Sequence, residues 1–338
     1  MITLHAHRLA VMLAAAAALA CTAEQRHTSR GEGRSDSASA VEGVAIGVGT
    51  PNVRFVRNIA GFQGPESATY DADQDVFFVS NMTGYGSALD GNGYISRVSA
   101  GNPDSAEVFV QGGRNGATLD APKGMAIHGD TLWVADIHAL RAFDRHSGAP
   151  LGEIDLASAG AVQANDVAVG PDGTIRVTDT GIIMGKAGVV YTWRDKIFVI
   201  GPGRAISVAM SGPSLRRPNG IAWDATGSRW IVLSFDPFVG EVASMPADMS
   251  SRQVIRSGTG QLDGVVVMRD GTVLFSSWAD SSIHALSGGT DTKIIRQVPV
   301  PADIGLDTKR QRLAIPLSML GRVQLWDVGA VRAAAARD

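Results

Sequence analysis

The chain has 338 residues, of which 45% are hydrophobic and 19% are charged, and 33 acidic against 30 basic residues give a formal net charge of −3. This balance argues against a protein that binds nucleic acid, which needs a concentrated basic surface, and against a disordered polyelectrolyte. Cys21 is the single cysteine, so neither an intramolecular disulfide nor a cysteine-based metal cluster can form. The motifs Gly-x-Ser-x-Gly and His-Glu-x-x-His are absent, which disfavours an α/β-hydrolase and a zinc protease.

Residues 1–20 are typical of an export signal, because a weakly basic start around Arg8 precedes an apolar run over Leu9–Ala20 that is too short to span a bilayer. The run ends in Ala18-Leu19-Ala20-Cys21, which resembles a bacterial lipobox, whose cysteine becomes the lipidated first residue. An ordinary secretory signal with an incidental cysteine is the alternative. We therefore predict lipidation at Cys21, which would be the only link to a membrane. The protein would then lie on the bacterial cell envelope, facing the periplasm or the exterior, and would otherwise be secreted.

Three further segments follow the predicted signal. Residues 21–45 contain almost no large apolar side chain, which predicts a disordered tether. Residues 46–328 consist of short apolar runs separated by Asp-Gly and similar turns, as in an all-β domain. Residues 329–338 are expected to form a short C-terminal tail.

One sequence unit recurs six times in residues 46–328. In each copy a polar residue opens a short stretch of small or apolar residues, and a turn and a second apolar strand follow. The residues that open the six copies, which we call the ring residues, are Glu66, Lys123, Asn165, Asn219, Asp263 and Asp303. Their mean separation of about 47 residues predicts an all-β six-bladed β-propeller. A strand near residues 53–59 is expected to close the ring by joining the last blade.

The ring residues are also the candidate functional site. The first strand of each propeller blade lines the central channel, so we expect these side chains to converge at one mouth of that channel. Burying them without partners would cost on the order of several kcal/mol each, and a divalent cation would satisfy many of them together. Oxygen ligands suit Ca²⁺ best, with Mg²⁺ or Mn²⁺ as alternatives. The predicted ligands are Glu66, Asn165, Asn219 and Asp263. In the competing interpretation, the Asn and Asp side chains hydrogen-bond their own backbone.

At these residues the chain resembles the senescence-marker-protein/gluconolactonase/luciferin-regenerating-enzyme family, over about 280 residues. The resemblance is carried by four short motifs, namely Glu66 after Gly64-Pro65, Asn165-Asp166, Pro218-Asn219-Gly220 and Asp263-Gly264. It implies a metal-dependent hydrolase, most often a lactonase. In such an enzyme the metal polarises an ester, lactone or phosphoester oxygen, and an acidic ligand assists the attack by water.

Two positions depart from the gluconolactonase pattern. Gln163 stands where gluconolactonases commonly carry an arginine that holds a sugar-like substrate. Lys123 adds a cation to the ring, and it could pair with Glu66 or Asp303, bind a substrate carboxylate, or replace the metal. We predict that Lys123, Gln163 and Asp303 bind substrate. Asp263 is the first candidate for general base or nucleophile, and Glu66 is the second.

The predicted function is therefore a metal-dependent hydrolase of lactones or esters. A non-catalytic propeller that binds a ligand or a protein while tethered to the cell envelope is the alternative, because fold alone does not decide function. Outside the ring, Asp166 is a candidate for orienting Asn165, or equally for hydrogen bonding the backbone where the strand begins. His284 is predicted to lie at the surface or in a turn, with catalysis as the alternative. Arg216-Arg217 is predicted to lie in a solvated loop, with contact to a substrate anion as the alternative.

Overall fold

The computed structural model describes residues 46–331. The predicted signal, tether and lipidation site at Cys21 lie outside the described residues, as does most of the predicted C-terminal tail. No helix in the described part of the chain is long and apolar enough to cross a membrane.

The described backbone is built almost entirely from short β-strands. In chain order they are β1 (Val48–Gly49), β2 (Arg54–Ala60), β3 (Pro65–Asp71), β4 (Val76–Asn81), β5 (Tyr94–Ser99), β6 (Ala106–Gln111), β7 (Pro122–His128), β8 (Thr131–Asp136), β9 (Ala139–Asp144), β10 (Pro150–Asp155), β11 (Ala164–Val169), β12 (Ile175–Asp179), β13 (Ile182–Gly185), β14 (Gly188–Tyr191), β15 (Lys196–Ile200), β16 (Ile206–Ser211), β17 (Pro218–Asp224), β18 (Arg229–Ser234), β19 (Gly240–Pro246), β20 (Gln253–Gly258), β21 (Leu262–Val267), β22 (Val273–Ser277), β23 (Ser282–Ser287), β24 (Thr290–Arg296), β25 (Gly305–Asp307), β26 (Arg312–Leu317) and β27 (Arg322–Asp327). Single 3-10 turns lie at Ala157–Ala159, Pro202–Arg204, Pro213–Leu215 and Ser318–Leu320.

These strands form six antiparallel blades, which confirms the predicted six-bladed β-propeller. Blades one to five begin with β3, β7, β11, β17 and β21, and blade three carries the extra hairpin β13–β14 between its second and third strands. Blade six combines β25, β26 and β27 with β2 from the N-terminal side, which pairs Arg54 with Asp327 and Ala60 with Arg322. The chain therefore closes its own ring, as predicted from residues 53–59.

The first strand of each blade lies innermost. Each first strand contacts the first strand of the next blade, and β25 of the last blade contacts β3 of the first. Three glycines directly after ring residues, Gly124, Gly220 and Gly264, permit this approach, because a Cβ on any of them would overlap the backbone of the neighbouring inner strand. The six ring residues are thereby brought around one channel.

The core lies between the blades, because each sheet buries both of its faces against its neighbours. The interface of blades one and two shows the pattern, since Phe78 and Ile95 of the first pack with Leu132 and Phe143 of the second. All four side chains are buried. Strands buried on both faces need nearly continuous apolar sequence, which explains the short apolar runs in the chain.

The two faces of the disc are built from different connections. First strands begin, and second strands end, at the face that carries the ring residues, which we call the mouth face. The loops between second and third strands, and those between successive blades, also lie there. The turns between first and second strands and between third and fourth strands form the opposite face, which we call the far face.

Candidate active site at the channel mouth

Five of the ring residues sit at a break in their strand, and Asp303 lies just before β25. In the first five blades the ring residue is the second residue of the first strand, and the pairing with the second strand shifts register across it, as between Pro65 and Ser67 or between Leu262 and Val265. A bulge of this kind redirects side chains and leaves part of the ladder unpaired. The six ring side chains are all buried, with Asp303 the most exposed at 8%.

Hydroxyl groups on the second strands satisfy the backbone at these breaks. Thr178 Oγ1 accepts the N–H of Asp166 at 2.9 Å and donates to the carbonyl of Asn219, in the next blade, at 2.7 Å. Ser276 does the same between blades five and six. At these two junctions the backbone is therefore held by side chains outside the ring, and the side chains of Asn219 and Asp263 are not used for it.

Three ring residues carry a buried oxygen without a hydrogen-bond partner in the described structure. They are Glu66 Oε2, Asn219 Oδ1 and Asp263 Oδ1. Buried polar atoms are nearly always paired, so three such atoms from separate blades indicate a missing partner. A divalent cation fits these donors, because carboxylate and amide oxygens are hard ligands.

The predicted ligand set also includes Asn165. Asn165 occupies the equivalent position in blade three and is also buried. No three His, Cys, Asp or Glu side chains among residues 46–331 are grouped as metal ligands. The predicted set contains only two carboxylates, and its other two donors are amides.

The charges of the ring act on one another. Burial raises the pKa of Glu66 well above its usual value, and the charges of Asp263 and Asp303 raise it further while Lys123 opposes them. Burial likewise raises the pKa of Asp263, with added contributions from Asp303 and Asp166. Carboxylates from blades one, three, five and six therefore lie within electrostatic reach of one another. A bound cation would offset this excess of negative charge.

Asp303 joins the last blade to the first. Its carboxylate accepts a hydrogen bond from Ser67 Oγ at 2.5 Å, and its backbone N–H donates to the Glu66 carbonyl at 2.8 Å. Burial raises the pKa of Asp303 to about 7, although the Ser67 hydrogen bond opposes the rise. This side chain is thus partly engaged within the protein, beside the predicted base and ligand Glu66.

Lys123 is fully buried, and its ammonium contacts a sulfur atom. Lys123 Nζ lies 3.0 Å from Met82 Sδ and forms no ion pair within 4.0 Å with any carboxylate in residues 46–331. Burial lowers the pKa of Lys123, while Glu66, Asp136 and Asp263 raise it from longer range. The lysine therefore does not form the predicted ion pair with Glu66 or Asp303. Substrate binding and replacement of the metal remain predictions.

The predicted substrate residue Gln163 holds two loops together. Its amide nitrogen donates to the Gly86 carbonyl at 2.8 Å, and its amide oxygen accepts from Ser87 Oγ. Ser87 also bonds both backbone groups of Met184, in the hairpin β13–β14. Loop 82–93 and this hairpin thus meet at the mouth, and the polar atoms of Gln163 are engaged there. Contact between Gln163 and a substrate stays a prediction.

Three residues outside the ring carried sequence predictions: Asp166 follows the strand-entry alternative, and the other two differ from what was predicted. The Asp166 carboxylate accepts the backbone N–H groups of Ile221 and Val167, both at 2.7 Å, so it holds neighbouring inner strands. Arg217 is only 5% exposed, which contradicts the predicted solvated loop. His284 is 1% exposed and lies deep in blade five, so the predicted surface or turn position is wrong.

Arg217 is buried because charged and aromatic side chains surround its guanidinium. The Arg217 guanidinium bonds Asp236 at 2.5 Å and lies 4.5 and 4.6 Å from the ring centroids of Tyr191 and Trp193. Charge pairing and cation–π contact together make burial of an arginine tolerable. The sequence pattern indicates neither the ion pair nor the cation–π contact, because the partners come from the inserted hairpin and from blade four.

A family model described as the SMP-30/Gluconolactonase/LRE-like region matches residues 64–305, which include all six ring residues. The chain belongs to this family. Membership supports a lactonase-like hydrolase in general terms, and it confirms the resemblance inferred from the ring motifs. No curated protein matches the chain.

Solved structures agree with this assignment at the level of the fold. A gluconolactonase from Xanthomonas campestris is 16% identical with a TM-score of 0.59, covering 85% of this chain and 98% of that one. The calcium-binding protein regucalcin from Agrobacterium tumefaciens is 14% identical with a TM-score of 0.61, covering 80% and 93%. A luciferin-regenerating enzyme is 11% identical with a TM-score of 0.59, covering 81% and 94%.

Proposed function

We propose that the protein is a metal-dependent hydrolase of the lactonase or esterase type, with its site at the mouth of the propeller channel. The observation that carries the proposal is the set of unpartnered buried oxygens on Glu66, Asn219 and Asp263, three of the four positions that match the family's motifs. The calcium-binding neighbour and the gluconolactonase neighbours support a divalent cation, most plainly Ca²⁺, and a small lactone or ester as substrate.

The residues that would hold the cation are Glu66, Asn165, Asn219 and Asp263. When bound, the cation supplies Lewis-acid polarisation of the substrate carbonyl. The inner strands hold these four side chains in place, because the bulges and the hydroxyls of the second strands have already satisfied the surrounding backbone. Little reorganisation is then needed when substrate arrives.

Proton transfer and substrate binding would be carried out by side chains at the channel mouth. Asp263, whose Oδ1 is buried without a hydrogen-bond partner and whose pKa, raised by burial, is lowered in part by the nearby Trp278 indole, is our first candidate to take the proton from the attacking water, with Glu66 the second. Lys123, whose ammonium acts on these carboxylates from longer range and forms no ion pair with them in the described structure, is suited to hold a negatively charged group of the substrate. The other two predicted substrate-binding residues are Gln163 and Asp303. One carboxylate oxygen of Asp303 accepts a hydrogen bond from Ser67.

The alternative of a non-catalytic binding propeller is not favoured by family membership. We keep the lipid anchor at Cys21 and the location on the bacterial cell envelope, facing the periplasm or exterior, as proposals. They are supported by the sequence of residues 1–21 alone.

A hydrolysis assay tests the proposed function. Purified protein should hydrolyse at least one class among simple lactones, aryl esters and phosphotriesters, and chelation of divalent metal should abolish the activity. Asp263→Asn should lower kcat by about 10²- to 10⁴-fold, as expected for loss of a general base. The control is Asp248→Asn, which alters an exposed aspartate on the far face and should leave kcat unchanged. Turnover that survives both chelation and Asp263→Asn would refute the proposal.

A further inference from the structure

The exposed large apolar side chains are concentrated on the mouth face. Of the thirteen in the described residues, five lie on two loops of this face. Tyr85 and Leu89, in loop 82–93 of blade one, are 52% and 64% exposed. Ile183, Val190 and Trp193, in and beside the hairpin β13–β14 of blade three, are 40%, 55% and 59% exposed. These are the two loops that meet through Ser87 and Met184.

Three more belong to the mouth loops of other blades. Phe238, between the second and third strands of blade four, is 67% exposed, and Met319 and Leu320 occupy the same connection in blade six. The five that remain lie singly on the outermost strands of five blades, at Val48, Val108, Leu151, Val208 and Val254. Scattered single apolar residues are ordinary on a protein surface, whereas eight on the loops of one face are not.

Contacts hold several of these loops to one another. Ser87 bonds both backbone groups of Met184, which joins loop 82–93 to the hairpin. Arg217 stacks on Trp193 and bonds Asp236, which lies two residues before Phe238. The apolar side chains of blades one, three and four are therefore carried by connected loops around one side of the mouth.

Exposed charge differs between the two faces. On the far face, exposed aspartates stand on six turns, at Asp73, Asp104, Asp130, Asp172, Asp248 and Asp270, against the exposed bases Arg54, Arg204, Arg269 and Lys309. Three of these aspartates are also paired, Asp73 and Asp130 with Arg145 and Asp104 with Arg57. On the mouth-face loops the bases Arg114, Lys186 and Arg194 stand against Asp90 and Asp155. The mouth-face loops therefore carry a small excess of exposed bases that the far face lacks, so an anionic surface is attracted more strongly to the mouth face.

The described chain begins at the mouth face. Val48 of β1 pairs with Arg296, and Arg296 ends β24 at the mouth face. Ile46 therefore precedes β1 on this side of the disc, and the 45 residues before it, including the predicted lipidation site Cys21, join the propeller there. A membrane anchor in that segment would tether the protein by its mouth face.

We propose that the mouth face docks on the surface of an anionic lipid bilayer, through the exposed apolar side chains of loop 82–93, hairpin β13–β14 and the loop of Phe238. Tyr, Trp and Phe beside Lys and Arg are the side chains that settle at a membrane interface, with an apolar body in the acyl boundary and a polar or charged group in the headgroups. The inference uses only the geometry of the faces and does not depend on the proposed hydrolase activity.

Site-specific fluorescence tests the orientation. The native cysteine is first removed by Cys21→Ser in the full chain. Two variants then each introduce one cysteine, Phe238→Cys on the mouth face and Asp248→Cys on the far face. Each cysteine is labelled with a polarity-sensitive dye. Because residues 1–45 join the propeller at the mouth face, tethering through them would itself favour quenching at 238, and the loop variant described next separates the two effects. With vesicles of phosphatidylethanolamine and phosphatidylglycerol, nitroxide-labelled lipid should quench the label at 238 at least about threefold more than the label at 248, because interfacial side chains enter roughly the outer 5–10 Å of the bilayer.

Two further measurements complete the test. Adding Leu89→Ser should weaken the quenching at 238, whereas the matched change Val108→Ser, on an outermost strand, should not. Unchanged melting temperatures verify that each variant is folded. Equal quenching of the two labels, or no quenching of either, would overturn the proposal. So would a vesicle-independent dimer that shields the label at 238, because the apolar loops would then bind a second copy of the chain.

Discussion

The close approach of the inner strands, on which the whole site depends, can be tested at Gly264. A Cβ at this position would overlap the Cα of Asp303 and the N of Ile304, which are backbone atoms just before β25 of the next blade and cannot swing aside. Overpacking of this kind costs about 1–3 kcal/mol or more. We therefore expect Gly264→Ala to destabilise the protein by about 3 kcal/mol. For a domain of this size the loss corresponds to roughly 6–12 °C in melting temperature.

Gly185, the last residue of β13 in the hairpin β13–β14, supplies the matched control. A Cβ there meets nothing within 4 Å, so Gly185→Ala should leave stability unchanged or raise it slightly. Thermal and urea unfolding of the two variants and the parent chain measure the difference. If Gly264→Ala unfolds at the same temperature as the parent, the inner strands are not packed as described, and the ring residues need not converge.

Two other residues give predictions of their own. Although burial lowers it, the pKa of His284 is raised on balance by hydrogen bonds to Asp280 at 3.1 Å and Asp291 at 2.7 Å. The positive charge of His284 therefore stabilises the folded chain fully at a pH below 6.5, the ordinary pKa of histidine. This stabilisation is lost as pH rises through the higher pKa of His284 in the folded state. The difference in unfolding free energy between the parent and His284→Asn should thus shrink from pH 6 to pH 9 in denaturant titrations, and a constant difference would contradict this. Lys123→Met removes the cation among the ring carboxylates and should tighten Ca²⁺ binding by about tenfold or more in calorimetry. Binding by Lys123→Met alone, with none by the parent, would show that the ammonium replaces the metal.

The sequence was sufficient to predict the architecture. Six units that each begin with one polar residue specify six equivalent inner strands, and the strand at Arg54–Ala60 closes the ring as expected. The ring positions followed from the same repetition, because equivalent positions in a propeller must surround one axis. The wide spacing between Asn165 and Asn219 reflects the hairpin β13–β14.

Contacts made by loops could not be predicted in the same way. Gln163 binds Gly86 and Ser87, and Lys123 meets Met82, because loop 82–93 reaches across the mouth from another blade. The sequence repeat predicts only features that all six blades share, whereas each of these contacts occurs in one place only. Arg217 and His284 illustrate the same limit, since each is buried by charged or aromatic partners that no local pattern indicates.

Binding of calcium to the parent chain and to Asp263→Ala tests the central claim most directly. If Glu66, Asn165, Asn219 and Asp263 share one cation, Ca²⁺ at 100 times its Kd should stabilise the folded chain by about 2.7 kcal/mol and raise its melting temperature by roughly 5–10 °C. Asp263→Ala should abolish the rise. Melting that is identical with calcium and with chelator, or a calcium-dependent rise that persists in Asp263→Ala, would contradict a metal site at the channel mouth.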